Sequence, residues 1–295
     1  MRFIEKASGW LIATGLAIAV LLAFNYLDVF VMVGFRHAGF DTKIYKGLIT
    51  STAALINVLA FGFFFFVCKR VRRPLLQVKK INAVDIILVL IIALGMLGFV
   101  VTFIMVSDKI SEYIKSLSEQ MTEYRKSVDR YTDVKQQVIP FWDSILYLIS
   151  LCFIVPLEEE LIFRGAIFGI LKRKMRPFAA IILTAILFGI MHRVSVHTAY
   201  ALICGMILTA VYHYTDNIFA GVIIHSVFNL LGSGLGDFLK LEQLGVSTAV
   251  RKEILSWTNV ICIMMMVPAG VAFFALRNRY KKRQLKKTES VASNE

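Results

Sequence analysis

VPLEEELIFRGAIFGIL, residues 155–171, is the stretch that decides the fold of this 295-residue chain. Three successive carboxylates and one arginine stand there inside an apolar run that extends over residues 142–170. An ionisable side chain inside hydrocarbon costs several kcal/mol unless it is paired or faces a water-filled cavity. Because these four charges cannot all face lipid, the stretch predicts a membrane helix that packs against other helices.

The composition of the whole chain agrees with this interpretation. Hydrophobic residues make up 58% of the chain, charged residues only 18%, and the mean hydropathy is +0.70. Soluble domains average about 25% charged residues, and disordered segments have low hydrophobicity. The composition therefore excludes a soluble globular enzyme and excludes disorder for most of the chain. We expect an all-α, polytopic membrane helical bundle.

About 20 apolar residues cross a bilayer as a helix, and about eight transmembrane helices are expected on that basis. The first apolar run is longer than the core of a signal peptide, so we expect it to be retained. If both termini are placed in the cytoplasm, the inner connections carry more Lys and Arg than the outer ones, as is usual for membrane proteins. We therefore expect a multi-pass plasma-membrane protein with both termini in the cytoplasm. The expected spans are residues 9–33, 47–68, 84–106, 142–170, 177–195, 198–214, 217–232 and 257–276.

The net charge of +13 does not indicate nucleic-acid binding. The basic residues lie between apolar runs and at the C-terminus, where they orient the chain and attract anionic lipid. We therefore expect membrane lipid among the partners and no nucleic acid.

Four regions follow from this pattern. They are an N-terminal three-span membrane region (1–106), a polar segment (107–141), a membrane region with the polar motifs (142–276) and a basic, disordered tail (277–295). The polar segment carries a heptad stripe, which predicts either an amphipathic helix on this protein or the membrane surface, or a coiled-coil or dimer contact through 107–131. The stripe consists of Ile110, Ile114, Leu117, Met121, Tyr124, Val128 and Tyr131.

Helix geometry separates the charges of the decisive stretch. Glu160 and Arg164 are four residues apart, so they share a helix face and can pair. Glu159 is turned by about 100° from Glu160 and can face a cavity. The alternative for this cluster is a buried ion-pair network that only maintains helix packing.

Two further spans carry polar residues at helical spacing. Phe188 and His192 share one face of the fifth span, and His225 and Asn229 share one face of the seventh. A single histidine near a helix end is usually a satisfied or interfacial residue. The His225 and Asn229 pair could equally be polar contacts that hold two helices together.

Taken together, the three groups indicate amide hydrolysis in a water-filled pocket. A carboxylate beside a histidine can deprotonate a water molecule, and a second histidine with an asparagine can stabilise an oxyanion. The sequence contains neither HExxH nor GxSxG, so it does not have the motif of a zincin or of an α/β-hydrolase.

These residues resemble the CPBP family of intramembrane proteases, which includes type II CAAX prenyl endopeptidases and bacterial Abi and bacteriocin-immunity proteins. Its pattern of EExxxR, FxxxH and HxxxN or HxxxD on successive spans of a helical fold matches residues 150–232 here. The resemblance implies that Glu159 activates water with help from His192, and that His225 and Asn229 stabilise the oxyanion. It implies supporting roles for Glu160, Arg164 and Phe188.

The resemblance leaves the cofactor open. The family is named as metalloproteases, and Glu159, His192 and His225 could bind zinc with an open coordination position. The same groups also suit a metal-free glutamate–histidine mechanism.

The leading hypothesis is a membrane-embedded endopeptidase, a CAAX protease-like enzyme that cleaves a membrane-associated or lipidated protein or peptide. One alternative is a non-catalytic scaffold or bacteriocin-immunity protein that binds a membrane partner. The other is a small proton-coupled transporter with Glu159 and His192 as its proton relay.

Overall fold

The computed structural model of this chain describes residues 2–67, 75–128, 138–192 and 195–292. Regular structure within these ranges is helical, apart from an isolated antiparallel bridge between Val78 and Asn217. Together with its long apolar helices, this confirms the expected all-α, polytopic membrane bundle.

The described part of the chain contains ten helices, α1 to α10, and a short 3-10 helix at Glu242–Leu244. Two of them are composite: α5 runs through Phe141–Ile149, Ser150–Ile154, Val155–Glu160, Leu161–Phe168 and Gly169–Lys172, and α8 runs through Ile218–Asn229, Leu230–Gly234 and Leu235–Leu239. The others are α1 (Arg2–His37), α2 (Lys46–Val67), α3 (Ala83–Ser111), α4 (Lys115–Val128), α6 (Pro177–Ile190), α7 (Ser195–Thr215), α9 (Thr248–Met264) and α10 (Met266–Ala292).

The structure does not confirm the count of eight spans. Among the described residues, five helices are long and apolar enough to cross a membrane, or six if the bent pair of α9 and α10 is one span. The five are α1, α2, α3, α7 and α8. The expected last span, 257–276, is instead bent by 46° between α9 and α10. Pro268 explains the break, because proline has no N–H for the preceding turn and fits the first turn of the new helix α10.

Helix α3 packs on α8, α9 and α10, so the expected N-terminal region shares its core with the C-terminal helices. Two glycines of α3 allow this close approach. A Cβ at Gly95 would collide with Ala269, and one at Gly98 would collide with the backbone of Cys262.

The polar segment forms the amphipathic helix α4, which packs on α3 and α7. Met121 and Tyr124 are buried, whereas Ile114 and Val128 remain exposed. The expected heptad stripe is interrupted between α3 and α4, and Tyr131 lies outside the described residues. A coiled-coil or dimer contact through 107–131 stays a prediction.

The C-terminal tail differs from the expected disorder, since α10 continues as a helix to Ala292. Asp85, at the start of α3, is only 1% exposed and accepts from Arg279 Nε at 2.6 Å and from Arg283 Nη1 at 2.9 Å. These two ion pairs hold the basic half of α10 against the bundle. The sequence did not reveal them because the partners are almost 200 residues apart.

Candidate active site

Two π-helical segments of α5, Ser150–Ile154 and Leu161–Phe168, flank the turn that carries the three glutamates. A π-helical turn shifts the hydrogen bonds to the fifth residue along the chain and is frequent at functional sites. Asn229 supports the first segment, because its Nδ2 donates to the carbonyl oxygen of Leu151 at 2.8 Å. This Asn229 contact is with the backbone of α5, at some distance along the helix from the glutamates.

Glu160 and Arg164 form the ion pair that their spacing suggests. Arg164 Nη1 lies 2.8 Å from Glu160 Oε1, and both side chains are 0% exposed. The guanidinium group also lies 4.7 Å from the ring centroid of Phe188, in a cation–π contact. Phe188 therefore supports the arginine from the neighbouring helix α6.

His225 of α8 connects this pair to Glu159. Its Nδ1 lies 3.3 Å from Glu160 Oε1, and its Nε2 lies 3.7 Å from Glu159 Oε2. The longer separation exceeds direct hydrogen-bond distance, so Nε2 and Glu159 Oε2 are neighbours without a direct hydrogen bond. The structure thus brings Glu159, Glu160, Arg164 and His225 together from two helices.

Gly221 makes this approach of α5 and α8 possible. A Cβ built at Gly221 would lie 3.0 Å from Glu160 Cδ and closer still to one carboxylate oxygen. The Glu160 carboxylate therefore packs directly on the backbone of α8, one helical turn before His225.

Glu159 and His192 line the same cleft, which has a volume of about 350 Å³. The side chain of Glu159 is 19% exposed, in contrast to the fully buried Glu160. The other residues that line the cleft are Phe24, Asn25, Asp28, Val29, Met32, Phe163 and Met191. Glu159 and His192 can therefore both reach a water molecule or a substrate in this space.

His192 lies in the turn after α6, which ends at Ile190, rather than inside a helix that continues to residue 195. Its Nδ1 is 2.9 Å from the carbonyl oxygen of Phe188. Since a carbonyl oxygen only accepts, Nδ1 carries the proton and the Nε2 lone pair is left for another partner. The ring of His197, for which the sequence indicated no role, lies 4.3 Å from that of His192.

Three polar residues near the cleft were given no role by the sequence motifs. Asn57 of α2 is 0% exposed, and its Nδ2 donates to Asp28 Oδ1 at 2.8 Å and to Glu158 Oε1 at 2.7 Å. This single amide ties α1, α2 and α5 together. The signal that could have found Asp28 and Asn57 is their polarity within otherwise apolar membrane helices.

An apolar groove of about 690 Å³ lies beside the cleft, between α1, α2 and α5. On α1, Ala23 and Leu27 line the groove, whereas Phe24 and Asp28 line the cleft. Apart from Arg173 and Lys174, the residues described as lining the groove are apolar or glycine. The cleft is thus adjacent to a surface that suits a hydrocarbon chain.

The possible zinc ligands of the sequence analysis do not form a metal site among the described residues. The described residues contain no group of three His, Cys, Asp or Glu side chains arranged to hold a metal ion. Glu159, His192 and His225 do not fit zinc as they are placed, and we derive no catalytic step through a metal.

The comparisons with known proteins confirm the resemblance to this protease family. Residues 141–231 match the family model described as type II CAAX prenyl endopeptidase Rce1-like. The UPF0177 protein YxdF of Lactococcus lactis subsp. lactis is 38% identical over 93 residues, which cover 30% of this chain. The match spans about half of that relative, 51% of its length. No solved structure matches.

The matched residues contain the three polar motifs but neither Asp28 nor Asn57. At the level of the family, the match supports a membrane-embedded endopeptidase.

Proposed function

We propose that this chain is an intramembrane endopeptidase that hydrolyses a peptide bond of a membrane-associated or lipidated protein or peptide. The observation that carries the proposal is the shared cleft of Glu159 and His192, with His225 3.7 Å from Glu159. A carboxylate and an imidazole beside one space for water are the groups that general-base hydrolysis requires.

Glu159 is the proposed general base. It accepts a proton from a water molecule in the cleft, while the free Nε2 of His192 accepts a hydrogen bond from the other water hydrogen. The water oxygen then bonds to the substrate carbonyl carbon. Glu159 passes its proton to the leaving nitrogen as the C–N bond breaks, so the products are a carboxylic acid and an amine.

His225 is the proposed donor to the oxyanion, and it acts there as an imidazolium. Its Nδ1–H faces the Glu160 carboxylate, which only accepts, so Nε2 must carry a second proton in order to donate. Its Nδ1 side is occupied by Glu160, which orients the ring so that Nε2 faces the Glu159 side of the site. Asn229 uses one amide N–H for Leu151, and we assign its second N–H to the same oxyanion. Donors of this kind stabilise the charge that develops during the attack on a carbonyl group.

The apolar groove supports a substrate that is held in or on the membrane. A peptide with an apolar segment or a lipid anchor could place that part in the groove while its polar backbone enters the cleft. We place the enzyme in the plasma membrane, where the expected excess of inner basic residues orients it.

The proposal is tested with Glu159→Gln and His192→Ala in the full-length protein, with cleavage of membrane-anchored peptides as the measurement. We expect a loss of about 10²–10⁴-fold in turnover for each variant, the range for removal of a general acid–base group. The matched control is Glu123→Gln, which removes an exposed carboxylate from α4. Zinc content of the purified protein is measured in parallel.

Two results would contradict the proposal. If stably inserted Glu159→Gln keeps the cellular phenotype of the parent, a non-catalytic scaffold is supported. If the variants lose proton flux or uptake while peptide products do not change, a proton-coupled transporter is supported.

A further inference from the structure

Among its described residues, the cleft is lined by two carboxyl groups and one imidazole, that of His192. Asp28 and Glu159 both line it, and none of the residues described as lining it is Lys or Arg. A third carboxyl group, that of Glu158, accepts a hydrogen bond from the same Asn57 amide as Asp28. The buried Arg164 is paired with Glu160 instead.

This excess of carboxyl groups requires a physical explanation. Charged side chains within a membrane bundle are costly unless a partner offsets the lost hydration. Asn57 contributes one hydrogen bond to each of Asp28 and Glu158, but it has no charge. A cationic group that enters the cleft would supply the missing opposite charge.

Asp28 is the carboxyl group best placed to receive such a cation. It lies on α1, on the wall of the cleft contributed by that helix, whereas Glu159 is needed as the base. Oδ1 of Asp28 accepts the Asn57 hydrogen bond, which holds the side chain in place and leaves Oδ2 for a ligand.

We propose that Asp28 is a specificity-determining residue, which binds a Lys or Arg side chain of the substrate peptide close to the cleaved bond. The inference rests on the proposed function, since it assumes that the cleft receives a peptide. Asp28 lies on α1, outside the residues that match the protease family. The proposed preference for Lys or Arg in the substrate therefore depends on the N-terminal helix and not on the matched region.

The competing explanation is a purely structural one, in which Asp28 only anchors α1 to Asn57. Asp28→Asn separates the two, because the amide oxygen of asparagine can still accept from Asn57 while the charge is lost. A structural role predicts little change for Asp28→Asn, and a role in binding a cation predicts loss of the preference for basic residues.

The experiment uses full-length protein in vesicles and a library of membrane-anchored peptides with randomised residues around the cleaved bond, with products identified by mass spectrometry. For the parent we expect Lys and Arg to be enriched about tenfold or more at one position near the bond, the effect of one charged hydrogen bond. Asp28→Asn should abolish that enrichment, Asp28→Glu should retain it, and Asp28→Lys should favour acidic residues.

Any detectable cleavage of uncharged peptides by Asp28→Asn shows that the variant is folded and active, and its residue preference is then read from the cleaved peptides. The matched control is Glu253→Gln, which removes one exposed carboxylate from α9 and should leave the parent preference unchanged. An unaltered preference in Asp28→Asn, or no preference in the parent, overturns this inference and leaves the protease proposal standing. Absence of all peptide cleavage by the parent overturns both.

Discussion

Glu159 and Glu160 are identical neighbours with different surroundings. Glu160 is fully buried between Arg164 and His225, whereas Glu159 borders an open cleft. The turn of about 100° between successive helix positions produces this difference. Glu159 is therefore accessible to water and substrate in the cleft, whereas Glu160 orients the arginine and the histidine.

Gly221→Ala tests whether Glu160 must contact the backbone of α8. The added methyl group would displace the Glu160 carboxylate, which lies directly against the α8 backbone, and so disturb its contact with His225. We expect a loss of about 1–3 kcal/mol of stability, typical of overpacking, and at least a tenfold loss of peptide cleavage. Thermal unfolding in detergent and the cleavage assay measure the two effects.

Gly62→Ala is the matched control, because a Cβ at Gly62 of α2 meets nothing within 4 Å. If Gly221→Ala and Gly62→Ala behave alike in both measurements, the close packing of Glu160 on α8 has no functional consequence.

Helix α10 depends on a contact that local sequence patterns do not reveal. Its basic half would repel itself along a free helix, yet Asp85 holds two of its arginines at the start of α3. Because Asp85 is buried, removal of its charge leaves two guanidinium groups without their partner.

Asp85→Asn should therefore loosen α10. We expect about 1–3 kcal/mol of destabilisation, less than for a fully buried pair, because both arginines are more than a third exposed. Hydrogen exchange of α10 should rise in the variant. Glu112→Gln, which removes the exposed Lys109 pair, is the control and should leave exchange unchanged. Equal exchange in both variants would show that Asp85 does not hold the helix.

Element boundaries were predictable where side chains act locally. The expected spans 198–214 and 217–232 leave only residues 215–216 between them, and the structure has a tight turn there. Asn217 caps α8 through Phe219 N, and Asp216 has a positive φ of 50°. The π-helical segments of α5 were not predicted, since no residue pattern distinguishes them from ordinary helix.

The orientation of the whole molecule remains a prediction that labelling can test. Both termini are expected in the cytoplasm and α4 outside, because basic residues favour the inner side. A cysteine at Lys126 of α4 should react with an impermeant maleimide in intact cells. A cysteine at Glu289 of α10 should react only after permeabilisation.

Both positions are exposed, and the parent chain is the control for the native cysteines, of which Cys152, Cys204 and Cys262 are buried. Labelling of Glu289→Cys in intact cells, without labelling of Lys126→Cys, would reverse the orientation.

The sequence by itself determined the membrane bundle, the pairing of Glu160 with Arg164 and the three motifs, because composition and helical spacing act over short distances. Only the tertiary structure placed His225 beside Glu159, and Asp28 and Asn57 beside Glu158. Asn57 and Glu158 are 101 residues apart in the chain. Which helices become neighbours depends on the packing of all their surfaces at once, which the pattern within a single helix does not contain.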